Sequence, residues 1–172
     1  MGIGVGGAVS TDKIYDIDRR YEIEANLDAT NPYLKVDGVS AIFKQSPGGA
    51  LSSAIPDGNI YLFALNNGGS VATGFVGKVY GTIKIYANNL LVRNFIPCIR
   101  TSDSKPGLYD TINDVFYVNQ GTGEFLYGPI KDGYKIPVKP QLSTDYTRVE
   151  YIQANDISNI DSGVVPTGTT KV

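Results

Sequence analysis

Histidine and tryptophan are absent from the 172 residues, and cysteine occurs once, at Cys98. Without histidine there is no imidazole general acid–base pair and no Ser–His triad. One cysteine and no histidine cannot assemble a zinc centre, and a lone cysteine makes no intrachain disulfide. Cys98 lies in an apolar strand next to Pro97, which reads as a buried, inert thiol rather than a nucleophile. A charge excess is missing as well. Fifteen Lys and Arg face 17 Asp and Glu, for a net charge of -2, so there is no basic excess for duplex nucleic acid. No run of like charges forms a tail. No apolar run is long enough to span a membrane as a helix. Residues 1–10 lack the basic start of a secretory leader.

What is present points to β structure. A hydrophobic content of 42% is enough for one domain with a core. Twenty Gly, 12 Tyr and many Asn, Asp, Ser and Thr suit a chain of short strands and tight turns. Period-two alternation dominates. In Tyr21-Glu22-Ile23-Glu24-Ala25-Asn26-Leu27 the apolar residues take one face and the polar ones the other. In Lys78 to Tyr86, read as one strand, Val79, Ile83 and Ile85 point inward. Lys78, Thr82 and Lys84 then point outward with Tyr80 and Tyr86. This is the habit of antiparallel strands with one wet face.

Turn residues stand between the strands. Asp37-Gly38 separates Tyr33–Val36 from Val39–Phe43, Asn88-Asn89 separates two apolar strands, and Asn113-Asp114 precedes Val115–Val118. No window carries capped helical periodicity, so the fold class is all-β with essentially no helix, in about ten to twelve strands. The stretches 46–58 and 128–145 read as loops, the second pinned by Pro129, Pro137 and Pro140. The expected organisation is a main β-sandwich body over 1–127, a proline-containing linker over 128–146 and a strand segment over 147–172.

A resemblance rests on a block of ordered motifs. Ile60–Ser70 is followed by Gly77-Lys78-Val79-Tyr80, Ile83–Tyr86, Leu91–Cys98 and Gly107-Leu108-Tyr109-Asp110, and then by Phe116-Tyr117 and Gly121-Thr122-Gly123-Glu124-Phe125. The block resembles the concanavalin A-like (laminin-G-like) module of gut-bacterial surface proteins and phage fibres, over roughly residues 1–127. The resemblance implies an antiparallel two-sheet jelly roll, an extracellular, cell-surface or virion location, and glycan or surface attachment. It also implies an altered order. The opening segment of such modules resembles Val149–Gln153 and Asn159–Val172, which here come last. Three explanations stay open: a circular permutant in which 147–172 completes its own sheet, a segment that completes a neighbouring copy, or a window of a tandem array. Val149, Tyr151, Ile152, Ile160, Val164 and Val165 are the apolar residues that such completion would use, because an unpaired strand edge invites another strand. A contact of this kind that does not close builds a filament.

For chemistry, glucanases of this fold use paired carboxylates on one strand face. The chain has four Glu: Glu22, Glu24, Glu124 and Glu150. Glu22 and Glu24 share a face, but Asn26 stands where a third acid is needed, so no catalytic set is expected. Asp12, Asp16 and Asp18, and also Asp156 and Asp161, are close in sequence without an EF-hand pattern. No cofactor is expected, and a structural Ca2+ in a loop stays open. Gly2–Gly7 mimics a dinucleotide fingerprint but precedes no βαβ unit. Arg93, Arg100 and Asp110 are expected to pair and tie strand ends. Tyr80 and Tyr86, with Asn66, Asn67, Asn88 and Asn89 in flanking loops, form the candidate ligand set, since aromatic faces beside amides suit a glycan. The expectation is a non-catalytic surface module for adhesion or glycan binding, or alternatively a structural protein assembling head-to-tail by strand complementation. Its partners would be other copies of itself, a larger fibre or surface protein, or surface glycans, with no nucleic acid and no membrane insertion.

Overall fold

The computed structural model describes residues 2–4, 8–10, 15–16, 19–26, 33–40, 44–45, 58–67, 69–131, 145–155, 157–166 and 170–172. The chain is all-β and antiparallel, of the sandwich class that its alternation predicts, and no helix occurs among the described residues. It divides into two compact units. One is Met1–Gly58 with Ile85–Leu91 and Val165–Val172; the other is Asn59–Lys84 with Val92–Val164.

The first unit contains β1 (Gly2–Gly4), β2 (Ala8–Ser10), β3 (Ile23–Asn26), β4 (Tyr33–Val36), β5 (Val39–Ser40) and β6 (Lys44–Gln45). β2 lies between β1 and β6, and β4 lies between β3 and β5. Asp37 and Gly38 both have positive φ, 52° and 75°, the primed turn that matches strand twist. The alternation of β3 is imperfect. Ala25 is buried, but so is Asn26, and Ile23 is exposed. The far edge of β3 is paired as well. Ala25 exchanges both backbone hydrogen bonds with Val172, and Tyr86 does so with Lys171.

The second unit holds β7 (Tyr61–Leu62), β8 (Ala64–Asn67), β9 (Ser70–Gly74) and β10 (Gly77–Tyr80). β11 (Ile83–Ala87) then leads into the Asn88-Asn89 turn, with φ of 52° and 60°, and β12 (Leu90–Arg100) follows. The remaining strands are β13 (Pro106–Asp110), β14 (Val115–Val118), β15 (Phe125–Tyr127), β16 (Tyr146–Arg148), β17 (Tyr151–Ala154) and β18 (Ile160–Asp161). The single strand expected over Lys78–Tyr86 is two strands. Gly81 breaks it with φ of 77°, a conformation in which an L side chain is strained. The expected loop over 46–58 lies outside the described residues up to Gly58.

β13 sits between β12 and β14, and its Leu108, Tyr109 and Asp110 are fully buried beside Phe95, Ile96 and Cys98 of β12. Residues 146–154 are the pivot of this unit. Along one edge they pair without a break with 125–131: β15 pairs β17, Gly128 donates to the Tyr151 carbonyl, Ile130 bridges Val149, and Lys131 donates to Arg148. Along the other edge the partner changes. β16 pairs Cys98–Arg100 of β12, whereas β17 pairs β10. Pro97 marks the change. Val149 donates to the Pro97 carbonyl at 3.1 Å, but proline has no N–H to return, so the ladder stops there. The first four residues of the stretch read as linker, 128–131, therefore belong to a ladder, and 132–144 lie outside the described residues.

Candidate binding face

The sheet β10-β17-β15 has a dry side and a wet side, fixed by its register. Val79 stands opposite Ile152, and Phe125 opposite Ala154. Ile152 and Ala154 are fully buried and Phe125 is nearly so, which defines the core side. The residues between them must point the other way. Lys78 faces Gln153, Tyr80 faces Tyr151, and Leu126 faces Gln153 from the other side. The wet side therefore carries Lys78, Tyr80, Tyr151, Gln153 and Leu126.

Two tyrosines make the floor of this face. Their ring centroids are 5.0 Å apart with planes inclined at 56°. Both are half-buried. A tilted pair of this kind contributes roughly 1 kcal/mol beyond its area. Lys78 is exposed, and its Nζ sits 4.5 Å from the Tyr151 ring centroid. Gly128 lies beneath the same ring: a Cβ there would run into Cδ1, Cε1 and Cζ of Tyr151. The glycine lets the ring lie across the sheet, and the ring in turn covers the glycine.

The predicted ligand set is split among different jobs. Tyr80 is on this face. Asn66 is engaged in its own hairpin: its Nδ2 donates to the Asn59 carbonyl at 2.8 Å and its Oδ1 accepts from Gly69 N–H at 2.8 Å. Asn67 is paired with Ser70 through the β8–β9 ladder, and its side chain lies outside the described residues. Tyr86, Asn88 and Asn89 belong to the first unit, where the two asparagines form the exposed turn. Of the residues singled out for completion, Val149, Ile152, Ile160 and Val164 are buried, Tyr151 stacks on Tyr80, and Val165 is exposed. All of β16, β17 and β18 pair with strands of their own chain. Alternation placed Lys78 and Tyr80 outward. The sequence points to Tyr151 only as a completion residue and does not point to Gln153 or Leu126 at all, because the cross-strand register that joins the three to Lys78 and Tyr80 is invisible locally.

Other polar clusters tie strands together. Asp110, fully buried, accepts from Asn94 N–H, Ile112 N–H and Asn113 Nδ2, and Arg93 Nε lies 3.5 Å away. Arg93 also donates to the Ser162 carbonyl, 2.9 Å away, anchoring the C-terminal segment. Arg100 does not join them; it pairs with Asp103 at 2.6 Å in the β12–β13 turn. The Asp103 carboxyl is thereby pulled down to about 2, chiefly by the Arg100 hydrogen bond. Glu24 is hydrogen-bonded by Tyr33 and Lys35, which holds its carboxyl below the ordinary range. Glycosidases raise the pKa of their general acid, the opposite direction. Asp161 accepts from Asn59 and Gly163. No group of three His, Cys, Asp or Glu positioned to hold a metal occurs among the described residues.

No family model, curated relative or solved structure matches the chain. The wet face of β10-β17-β15 must be read on its own chemistry. Two half-buried rings, an ammonium, an amide and one exposed leucine form a mixed surface. Such a surface suits a ligand with both apolar ring faces and polar edges.

Proposed function

We propose that this protein is a non-catalytic binding module, in an extracellular or virion-surface setting, that holds a saccharide on the wet face of β10-β17-β15. The observation that carries the reading is the Tyr80–Tyr151 pair, 5.0 Å between centroids, backed by Gly128 and flanked by Lys78 and Gln153. The C–H face of a pyranose stacks on such rings while its hydroxyls meet the amide. The resemblance to concanavalin A-like modules supports the same reading. So does the scarcity of glutamates, four in all, of which Glu24 and Glu150 are ion-paired. A glycan array probed with wild type and Tyr151→Ala tests it. Hits lost in the variant support the reading, and a blank array with folded wild-type protein overturns it.

A second reading is head-to-tail assembly, in which 147–172 of one copy takes the same place in the next. It draws on the position of β17 as the middle strand of its sheet, an exchange that would preserve every ladder. Light scattering decides between them: the assembly reading expects mass growing with concentration, and a monomer across the range excludes it.

A further inference from the structure

The wet face carries one charge whose sign matters. Lys78 is exposed and leans on the Tyr151 ring rather than on a carboxylate. Glu150, the acidic neighbour of Tyr151 in sequence, is engaged with Lys131 at 3.7 Å. The half-buried amide of Gln153 lies directly across from Lys78 in the ladder. A ring stacked on Tyr151 would therefore bring its edge groups against an ammonium and an amide together.

We infer that the ligand is an acidic saccharide: a uronic acid residue whose ring lies on Tyr80 and Tyr151 and whose carboxylate is taken by Lys78. This rests on the saccharide-binding reading above and adds the ligand's charge. Three features combine in it. The rings accept the apolar face of the sugar. The ammonium gains from a carboxylate a charge-assisted hydrogen bond, where a neutral hydroxymethyl offers an ordinary one. The site is open, so the attraction is screened by salt.

The experiment is calorimetric titration of the full chain with oligogalacturonate and with its fully methyl-esterified, neutral form. Wild type binds the acid form, more tightly at low salt, and the ester at least several-fold more weakly. Lys78→Gln weakens the acid form by roughly twofold to fivefold, as an exposed ion pair allows, and the ester by less. Lys78→Arg restores most of the loss. Gly128→Ala, which displaces the Tyr151 ring while keeping every functional group, weakens both forms. If acid and ester bind equally and Lys78→Gln changes neither, the inference about charge is overturned while saccharide binding stands. If neither form binds but neutral glycans on the array do so through Tyr151, the inference again fails alone. If no saccharide binds at all, both readings fail.

Discussion

Cys98 and Asp103 show how little reactivity is left in the individual side chains. Cys98 is fully buried, and desolvation pushes its thiol up to about 12. The thiolate is the nucleophile, so native protein at pH 8 should not react with an aromatic disulfide reagent, and one equivalent should titrate on unfolding. Asp103 is displaced the other way. Its folded pKa is about 2, below the unfolded value, so its pairing with Arg100 stabilises the fold above the ordinary carboxylate range. That contribution shrinks as pH falls and is gone below about 2. A carboxyl titration followed by NMR should place the Asp103 midpoint near 2. Asp110 plays a structural part. Replacing it with alanine strips two backbone N–H groups of their acceptor and leaves Arg93 without its anion. We expect a loss of roughly 3 kcal/mol in chemical denaturation, with no loss of saccharide affinity beyond that of the folded fraction.

Among the elements, the strand over 146–154 teaches most. Its apolar pattern was readable, as were the Asp37-Gly38, Asn88-Asn89 and Asn113-Asp114 turns, because turn chemistry and alternation are local. The exchange of neighbours at Val149 was not. It depends on Pro97, 52 positions earlier, meeting Val149 across the ladder. The same limit hid the binding face. Alternation turns Tyr80 outward, but Tyr151 stands out only among the residues for strand completion, and only the register Tyr80↔Tyr151 joins them. The single strand expected through Gly81 failed because a glycine at positive φ leaves no mark in the hydrophobic pattern on either side. A second element is the contact between the loops at 119–124 and 155–159. Asn119 Oδ1 accepts from Gly121 and Asn159 N–H, Gln120 N–H donates to the Asn159 carbonyl, and Gly123 N–H donates to Ile157. A Cβ on Gly121 would strike the Ile157 carbonyl. Gly121→Ala should therefore cost about 2 kcal/mol or more by thermal melting, because the obstacle is backbone with no side chain to swing aside.

For the whole molecule, the C-terminal segment is a structural part of the unit it finishes. It supplies Val149, Ile152, Ala154, Ile160 and Val164 to the core, and it supplies Tyr151 and Gln153 to the wet face. Deleting 146–172 exposes the β10, β12 and β15 edges at once. The truncated chain should show no cooperative thermal transition by circular dichroism, since Val149, Ile152, Ile160 and Val164 at roughly 1.5–3 kcal/mol each together match the net stability of a small domain. In the proposed reading structure and binding share one strand: what completes the sheet also completes the candidate face. The most direct test of that claim is a backbone amide shift map on titration of the full chain with a bound saccharide. Shifts should centre on Lys78, Tyr80, Leu126, Tyr151 and Gln153. Shifts centred instead on the Asn88-Asn89 turn, with the β10-β17-β15 face silent, would contradict it.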